Sequence, residues 1–216
     1  MWLAHKKHGS LPWKELLQPA FNLAEEGFKV HPKLAKSIEM YITSLEKRGF
    51  AVNFENYFAD AKANEIFQQL ELADTLKRIR DQGRDGFYKG QTAKIISDFM
   101  RQENGLVTEQ DLLSYEAKSR QPITAKWRGY QLLTSPPPSS GGIAIIQWLK
   151  MYDLMTRDQE KLTHNSAAYM HLLAEIGKRV FADRAEYLGD PDFVKVPVDS
   201  LITDEYIAMR SQTVLK

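Results

Sequence analysis

From residue 10 to residue 119, apolar side chains recur three and four positions apart in runs that each stop at a glycine. That punctuation allows little besides short packed helices. Leu16, Leu17, Ala20, Leu23 and Ala24 precede Gly27, and Leu34, Ile38, Tyr41, Ile42 and Leu45 precede Gly49. Leu72, Leu76 and Ile79 precede Gly83, and Ile95, Ile96, Phe99 and Met100 precede Asn104-Gly105. Ser10 is expected to cap the first of these helices, with Pro12 in its first turn and Pro19 kinking or splitting it. His31-Pro32 opens the next, and the two are expected to form a helical hairpin. Thr108-Glu109-Gln110-Asp111 has the form of a capping box before Leu112 and Leu113. Trp2 and Leu3, followed by Lys6, Lys7, His8 and Gly9, read as the last turn of a further helix. The aromatic-rich span from Phe50 to Phe67 lacks a period and is assigned as an ordered loop that packs its rings on the helices.

The pattern changes once. Ile123–Trp127 and Tyr130–Thr134 flank Arg128-Gly129, as two short strands on a tight turn would. Helices then resume. One starts at Ser139 or Ser140 with Ile145, Trp148, Leu149 and Tyr152 on a face. Another starts near Asn165 with Tyr169, Leu172, Leu173, Ile176 and Val180 and ends at Gly189. A last one runs from Thr203 to Met209. The expected class is therefore mainly α with a small β hairpin (α+β): helical over 1–119, hairpin over 123–134, helical over 139–216.

With 43% hydrophobic residues the chain buries a sizeable core, so disorder is not the expectation. Its 29 basic and 28 acidic residues leave a net charge of +1, which excludes a whole-chain attraction to nucleic acid or an anionic membrane. The absence of cysteine removes disulfides, thiolate zinc sites and a cysteine nucleophile together. No window approaches the roughly 20 apolar residues of a membrane helix.

Few residues suggest chemistry. Pro136-Pro137-Pro138 leads into Ser139, Ser140, Gly141 and Gly142 at a helix start, where outward N–H groups and small side chains would line a site. Equally, a serine would merely cap the helix and the glycines would allow close packing on a sheet. This is not a phosphate loop, because no Gly-Lys-Ser/Thr follows. His171 and Glu175 share a helix face near His164, but two ligands are too few for a metal, and a solvated face or a hydrogen-bonded histidine is the better reading. Asp183, Glu186, Asp190 and Asp192 lack the rhythm of a calcium loop and read as ion pairs at a helix end, with Arg184 and nearby lysines as partners. There is no Gly-x-Ser-x-Gly elbow, and no serine stands beside a plausible histidine and acid. The residues alone thus describe a mostly helical module without a catalytic constellation.

Two phrases nevertheless resemble gamma-glutamyltranspeptidases: Pro136-Pro137-Pro138-Ser139-Ser140-Gly141-Gly142, and Ala182-Asp183-Arg184-Ala185-Glu186-Tyr187-Leu188-Gly189-Asp190-Pro191-Asp192-Phe193. Others follow in that family's order. They are Gly9-Ser10-Leu11-Pro12-Trp13, Leu17-Gln18-Pro19-Ala20, Leu23-Ala24-Glu25-Glu26-Gly27-Phe28, Leu72-Ala73-Asp74-Thr75-Leu76, Gly86-Phe87-Tyr88-Lys89-Gly90, Gly105-Leu106-Val107-Thr108 with Asp111-Leu112, and Arg128-Gly129-Tyr130. Residues 50–69 match least.

The resemblance implies an N-terminal nucleophile hydrolase, an αββα sandwich built from a large and a small subunit made by self-cleavage. It implies transfer or hydrolysis of gamma-glutamyl groups of glutathione-type small molecules through a threonine acyl-enzyme, without a metal or organic cofactor. The family's nucleophile and oxyanion hole would lie beyond Lys216 and its carboxylate-binding arginine before Met1, so no catalytic residue carries over to this sequence. The expectation is one partial domain over 1–216, the C-terminal part of a large subunit lacking much of its sheets and inactive by itself. Its partner would be the small subunit of the same precursor, and its uncovered strands would favour self-association. No nucleic-acid or membrane partner is expected, and the family suggests a periplasmic or secreted location. The other hypothesis is a non-catalytic helical binding or interaction protein on the same scaffold.

Overall fold

A computed structural model describes residues 1–50, 53–157 and 162–214. The chain is mostly helical, with two small two-stranded antiparallel sheets. It gathers into two compact units, Met1–Ala117 and Lys118–Lys216.

The first unit runs α1 (Trp2–His8), α2 (Trp13–Glu25), β1 (Phe28–Lys29), α3 (Pro32–Lys47), α4 (Phe54–Phe58), β2 (Ile66–Phe67), α5 (Leu70–Gln82), α6 (Asp85–Tyr88), α7 (Gly90–Gln102) and α8 (Glu109–Ser114). The main partner of α2 is α5, not α3, which corrects the expected helical hairpin. Phe21 and Ala24 of α2 close on Ala73 and Leu76 of α5. The Trp13 indole donates to the Ile79 carbonyl at 2.9 Å, and the Arg80 guanidinium lies 4.6 Å from the Phe21 ring centre. Gly27, at φ +82°, turns the chain away from α2 into β1, which pairs with β2 and so brings α5 back alongside. The Gln69 N–H then donates to the Ala24 carbonyl at 2.9 Å, closing the C-terminal end of α2.

Pro19 lies inside an unbroken α2. It forfeits the helical bond to the Glu15 carbonyl, but anchors on both sides of it, Trp13 and Phe21, hold the two halves against α5. Ser10 caps nothing, because α2 begins at Trp13 behind an extended Pro12. His31 does cap α3, its Nδ1 accepting from the Lys33 N–H at 3.1 Å.

The span expected as loop contains α4 and β2, and its rings pack: Phe54 stacks on Phe58 at 4.6 Å and meets Tyr41 of α3 edge-on at 4.8 Å. Residues 51 and 52 of that span lie outside the described residues. In α7 the buried positions are Thr92, Ala93 and Ser97, whereas Ile95 and Phe99 of the expected apolar face are exposed. Thr92 is buried for its hydroxyl, which accepts from Arg78 Nε and donates to the Gly86 carbonyl, both at 2.8 Å. The capping box before α8 is present, with Thr108 Oγ1 and the Asp111 side chain each bonding the other's backbone N–H.

The second unit runs β3 (Ile123–Trp127), β4 (Tyr130–Thr134), α9 (Gly141–Thr156), α10 (Ala167–Tyr187), α11 (Val198–Leu201) and α12 (Asp204–Ser211). The hairpin has the expected bounds, with Trp127 opposite Tyr130 and Ile123 opposite Thr134. Arg128 (φ 46°) and Gly129 (φ 82°) give the double left-handed turn that suits the twist of two strands. Arg128 is held there by Asp153 at 2.6 Å and by the Trp127 ring, 5.0 Å from its guanidinium.

The core lies on both sides of α9. Ile143 and Ile146 meet Ile123 and Leu201, while Met151 meets Leu172, Ile176, Val180, Ile207 and Val214. The face expected from sequence, Ile145, Trp148, Leu149 and Tyr152, is the less buried one. Since α9 is apolar nearly all round, its period does not choose a side. At the edge of the unit Asp192 receives Lys118 at 2.7 Å and Arg120 at 2.9 Å, which holds residues 118–120 to the turn after α10.

Two measurements check this packing. A Cβ on Gly142 would lie 2.1 Å from the Ser135 carbonyl oxygen, whereas one on Gly141 would come no nearer than 3.7 Å to the Ser139 hydroxyl. Urea unfolding should show Gly142→Ala destabilised by about 2–3 kcal/mol, and Gly141→Ala changed by no more than about 0.5 kcal/mol. For Asp192, the Lys118 ammonium first and Arg120 second hold the carboxyl below its usual value of 3.8. A lowered folded value means that the pairing stabilises above 3.8 and is lost as pH falls through the lowered value. Asp192→Asn should therefore melt lower than wild type at neutral pH and lose less stability on acidification below 3.8.

Candidate functional site

The proline-serine-glycine phrase singled out from the sequence leads into the start of α9. Ser140 occupies the N-cap position but its hydroxyl caps no backbone N–H. Its φ and ψ of −80° and −17° are already helical, whereas a capping serine needs an extended backbone. The hydroxyl instead accepts from Arg184 Nε of α10 at 3.0 Å. Ser139 is exposed, and its N–H donates to the Pro136 carbonyl at 3.2 Å. Gly141 is exposed and Gly142 is buried against the end of β4, where the Thr134 hydroxyl is enclosed without a partner. The close approach of helix to sheet is thus made by Gly142, and Gly141 leaves the first turn open.

The proline-serine-glycine phrase and the Ala182–Phe193 phrase therefore hold each other. Arg184 binds Ser140, and one residue earlier Asp183, 4% exposed, accepts from Gln147 Nε2 at 3.1 Å. Gln147 also donates to the Leu201 carbonyl at 3.0 Å, and Arg210 of α12 meets the other Asp183 oxygen at 2.9 Å. Tyr206 lies near the same carboxylate; burial first, then the Asp183 charge, pushes its hydroxyl up to about 12. Sequence reasoning did not find Gln147, Tyr206 or Arg210. The available signal was Gln147, a polar residue inside the apolar run Ile143–Leu149.

Three of the four acids expected to pair at the end of α10 do so, with different partners, while Glu186 is exposed and makes no ion pair among the described residues. Asp190 and Asp192 are met by Arg120 and Lys118, Asp183 by Arg210, and Arg184 by a serine rather than an acid. His164, His171 and Glu175 are not brought together. His164 lies beside the Tyr169 ring at 5.3 Å, His171 is exposed, and the buried Glu175 carboxylate is taken by Lys178 and Arg179. Those cations, Lys178 first, lower its pKa.

Among the described residues, no group of three His, Asp or Glu side chains is placed to hold a metal ion. Nor does any serine or threonine hydroxyl there bond to a histidine. An open apolar groove of about 380 Å³ lies beside the hairpin, lined by Trp127, Trp148, Tyr152 and Tyr169 with aliphatic neighbours. It carries no nucleophile and no acid. Among the described residues, no helix is long and apolar enough to cross a membrane. The polar side chains around the head of α9 are engaged mainly with one another, Ser140 with Arg184 and Gln147 with Asp183.

Comparison with known proteins supplies what this geometry does not. The family model of gamma-glutamyltranspeptidase matches residues 1–216. A glutathione hydrolase proenzyme of Pseudomonas aeruginosa is 48% identical over 214 residues, which is 99% of this chain and 38% of that protein. One of Escherichia coli is 41% identical over 211 residues, 94% of this chain and 35% of its own length. In structure, the gamma-glutamyltranspeptidase from Pseudomonas nitroreducens, solved in complex with L-DON, superposes with a TM-score of 0.90 at 47% identity, covering 99% of this chain and 63% of that one. The chain thus spans little more than a third of the curated relatives it matches. A family model that takes in every residue, and a fold shared at this level, place the chain in the gamma-glutamyltranspeptidase family.

Proposed function

We propose that residues 1–216 act as one partial domain, the C-terminal part of the large subunit of a self-cleaving precursor. In this reading the mature enzyme transfers gamma-glutamyl groups from glutathione-type amides to water or an amino acid. The chain is framework. The attacking threonine and the oxyanion hole belong to the small subunit, and the remaining strands of an αββα sandwich lie outside this segment.

The observation that carries the proposal is the way the two signature phrases are used. Ser140 is engaged by Arg184, Asp183 by Gln147 and Arg210, and Asp192 by Lys118 and Arg120. Side chains spent on one another in this way hold a shape; a nucleophile needs a free hydroxyl beside a base. The chain's share of its relatives' length supports the same division.

The chemistry assigned to the assembled enzyme follows general rules. The threonine hydroxyl adds to the gamma-amide carbonyl, its proton passing to the threonine's own amine, while backbone donors stabilise the oxyanion. The amide C–N bond then breaks, the leaving amine takes the proton, and an ester of threonine remains until water or an amino acid accepts the acyl group. Ser139 and Gly141, exposed at the head of α9, with Ser140 and Gly142 behind them, are the residues of this chain proposed to line the substrate site. No metal or organic cofactor enters this scheme. A periplasmic or secreted location suits the reading, as does self-association of the isolated segment through the exposed hairpin residues Tyr130 and Leu133.

Incubated with a gamma-glutamyl anilide, this chain should release no anilide above background, while a precursor containing it should mature and turn the substrate over. Robust turnover by residues 1–216 would sink the framework reading. In sedimentation the isolated chain should run as dimers or larger species; a clean monomer would remove the self-association claim and leave the enzymatic one standing.

A further inference from the structure

Two carboxylates on one face of α10, eight residues apart, hold the stretch that follows α12. Glu175 is 3% exposed and receives Lys178 Nζ and Arg179 Nη1, the latter at 2.5 Å. Arg179, oriented by that pair, spends the rest of its fork on Thr213: Nε donates to Oγ1 at 3.1 Å and Nη2 to the carbonyl oxygen. Two turns along, Asp183 holds Arg210 at 2.9 Å, and Arg210 Nη2 donates in turn to the Arg179 carbonyl at 3.2 Å. The Thr213 hydroxyl closes the ring by donating to the Arg210 carbonyl at 2.8 Å, and Val214 follows it into the core at 6% exposed.

Apolar side chains would hold α12 on α10 at less cost, because burying a carboxylate is expensive and its pairing often only breaks even. What a rigid two-pronged guanidinium adds is direction, since it fixes a backbone carbonyl and a hydroxyl at once. Thr213 is where that direction is imposed.

We propose that Glu175 and Arg179 are positioning residues for maturation. They fix the path of the chain at Thr213–Val214, so that the scissile peptide further along reaches the threonine that cuts it. This rests on the self-cleaving reading above. The cut is a hydrolysis in which water adds across the peptide bond before the threonine, leaving a carboxylate on the upstream chain and the amine on the threonine.

The test uses the intact precursor that contains this segment, with the two subunits followed on denaturing gels over time and the melting temperature measured in parallel. Arg179→Ala strands the buried Glu175 carboxylate and is open to misfolding, so Arg179→Lys is the deciding variant: it keeps a charge beside Glu175 and loses the fork on Thr213. The expected result is cleavage slowed at least ~10-fold with melting close to wild type, on the scale that a misplacement of about 1 Å costs. Glu175→Gln should slow cleavage in the same direction. Arg179→Lys maturing at the wild-type rate, or slowed only as far as its folded fraction falls, overturns the inference and leaves the proposed function intact. A wild-type precursor that folds and never cleaves overturns both.

Discussion

Asp183 keeps only 4% of its surface, and a carboxylate so enclosed persists only where donors meet both of its oxygens. In the second unit those donors come from different elements: Gln147 from α9 and Arg210 from α12. Gln147 reaches on to the last residue of α11. One buried acid therefore fixes how three helices sit on α10, and the apolar clusters around Ile146 and Ile176 fill the space that this frame defines. Removing a single partner would leave an uncompensated charge in the interior, the costliest kind of vacancy in a core of this size. The next residue, Arg184, carries the frame outward to Ser140 and so settles where the α9 N-terminus lies.

The framework role proposed above would also account for what each unit leaves uncovered. In the first unit, α3 runs for 16 residues with none of them buried, and α7 turns Ile95 and Phe99 outward while burying Thr92, Ala93 and Ser97. In the second, Tyr130 and Leu133 project from the hairpin, and Ile145 stands at the rim of the aromatic groove. Scattered apolar exposure is ordinary, but whole helix faces of this kind are usual where more of a protein packs. The chain's coverage of its relatives is in keeping with that, since most of their length lies outside what it matches.

Much of the secondary structure is legible because it rests on local backbone chemistry. Arg128-Gly129 sets a double left-handed turn, His31-Pro32 opens a helix, and Thr108 with Asp111 closes a capping box, all within four residues of sequence. Ser10 and Ser140 mislead for the same reason. A serine before a helix is a good local candidate for a cap, and whether its hydroxyl turns inward depends on a backbone angle and, for Ser140, on an arginine 44 residues away. The pairing of α2 with α5 is equally hidden, because it follows from β1 meeting β2 across 36 residues of chain and each of those strands is too short to show alternation. At the site, the phrases that signal the family are visible at once, but their mutual grip is not.

What the sequence by itself determines here is a set of short helices stopped by glycines, one hairpin with its register, and kinship with the gamma-glutamyltranspeptidases, because caps, turns and motifs are matters of neighbouring residues. Tertiary structure alone decides which face of the nearly uniform α9 is buried, which helix α2 packs on, and that Asp183, Gln147 and Arg210 form one network. The reason is physical. Buried charge and apolar contact act through space, and nothing in the spacing of Asp183 and Arg210 along the chain records that their side chains end 2.9 Å apart.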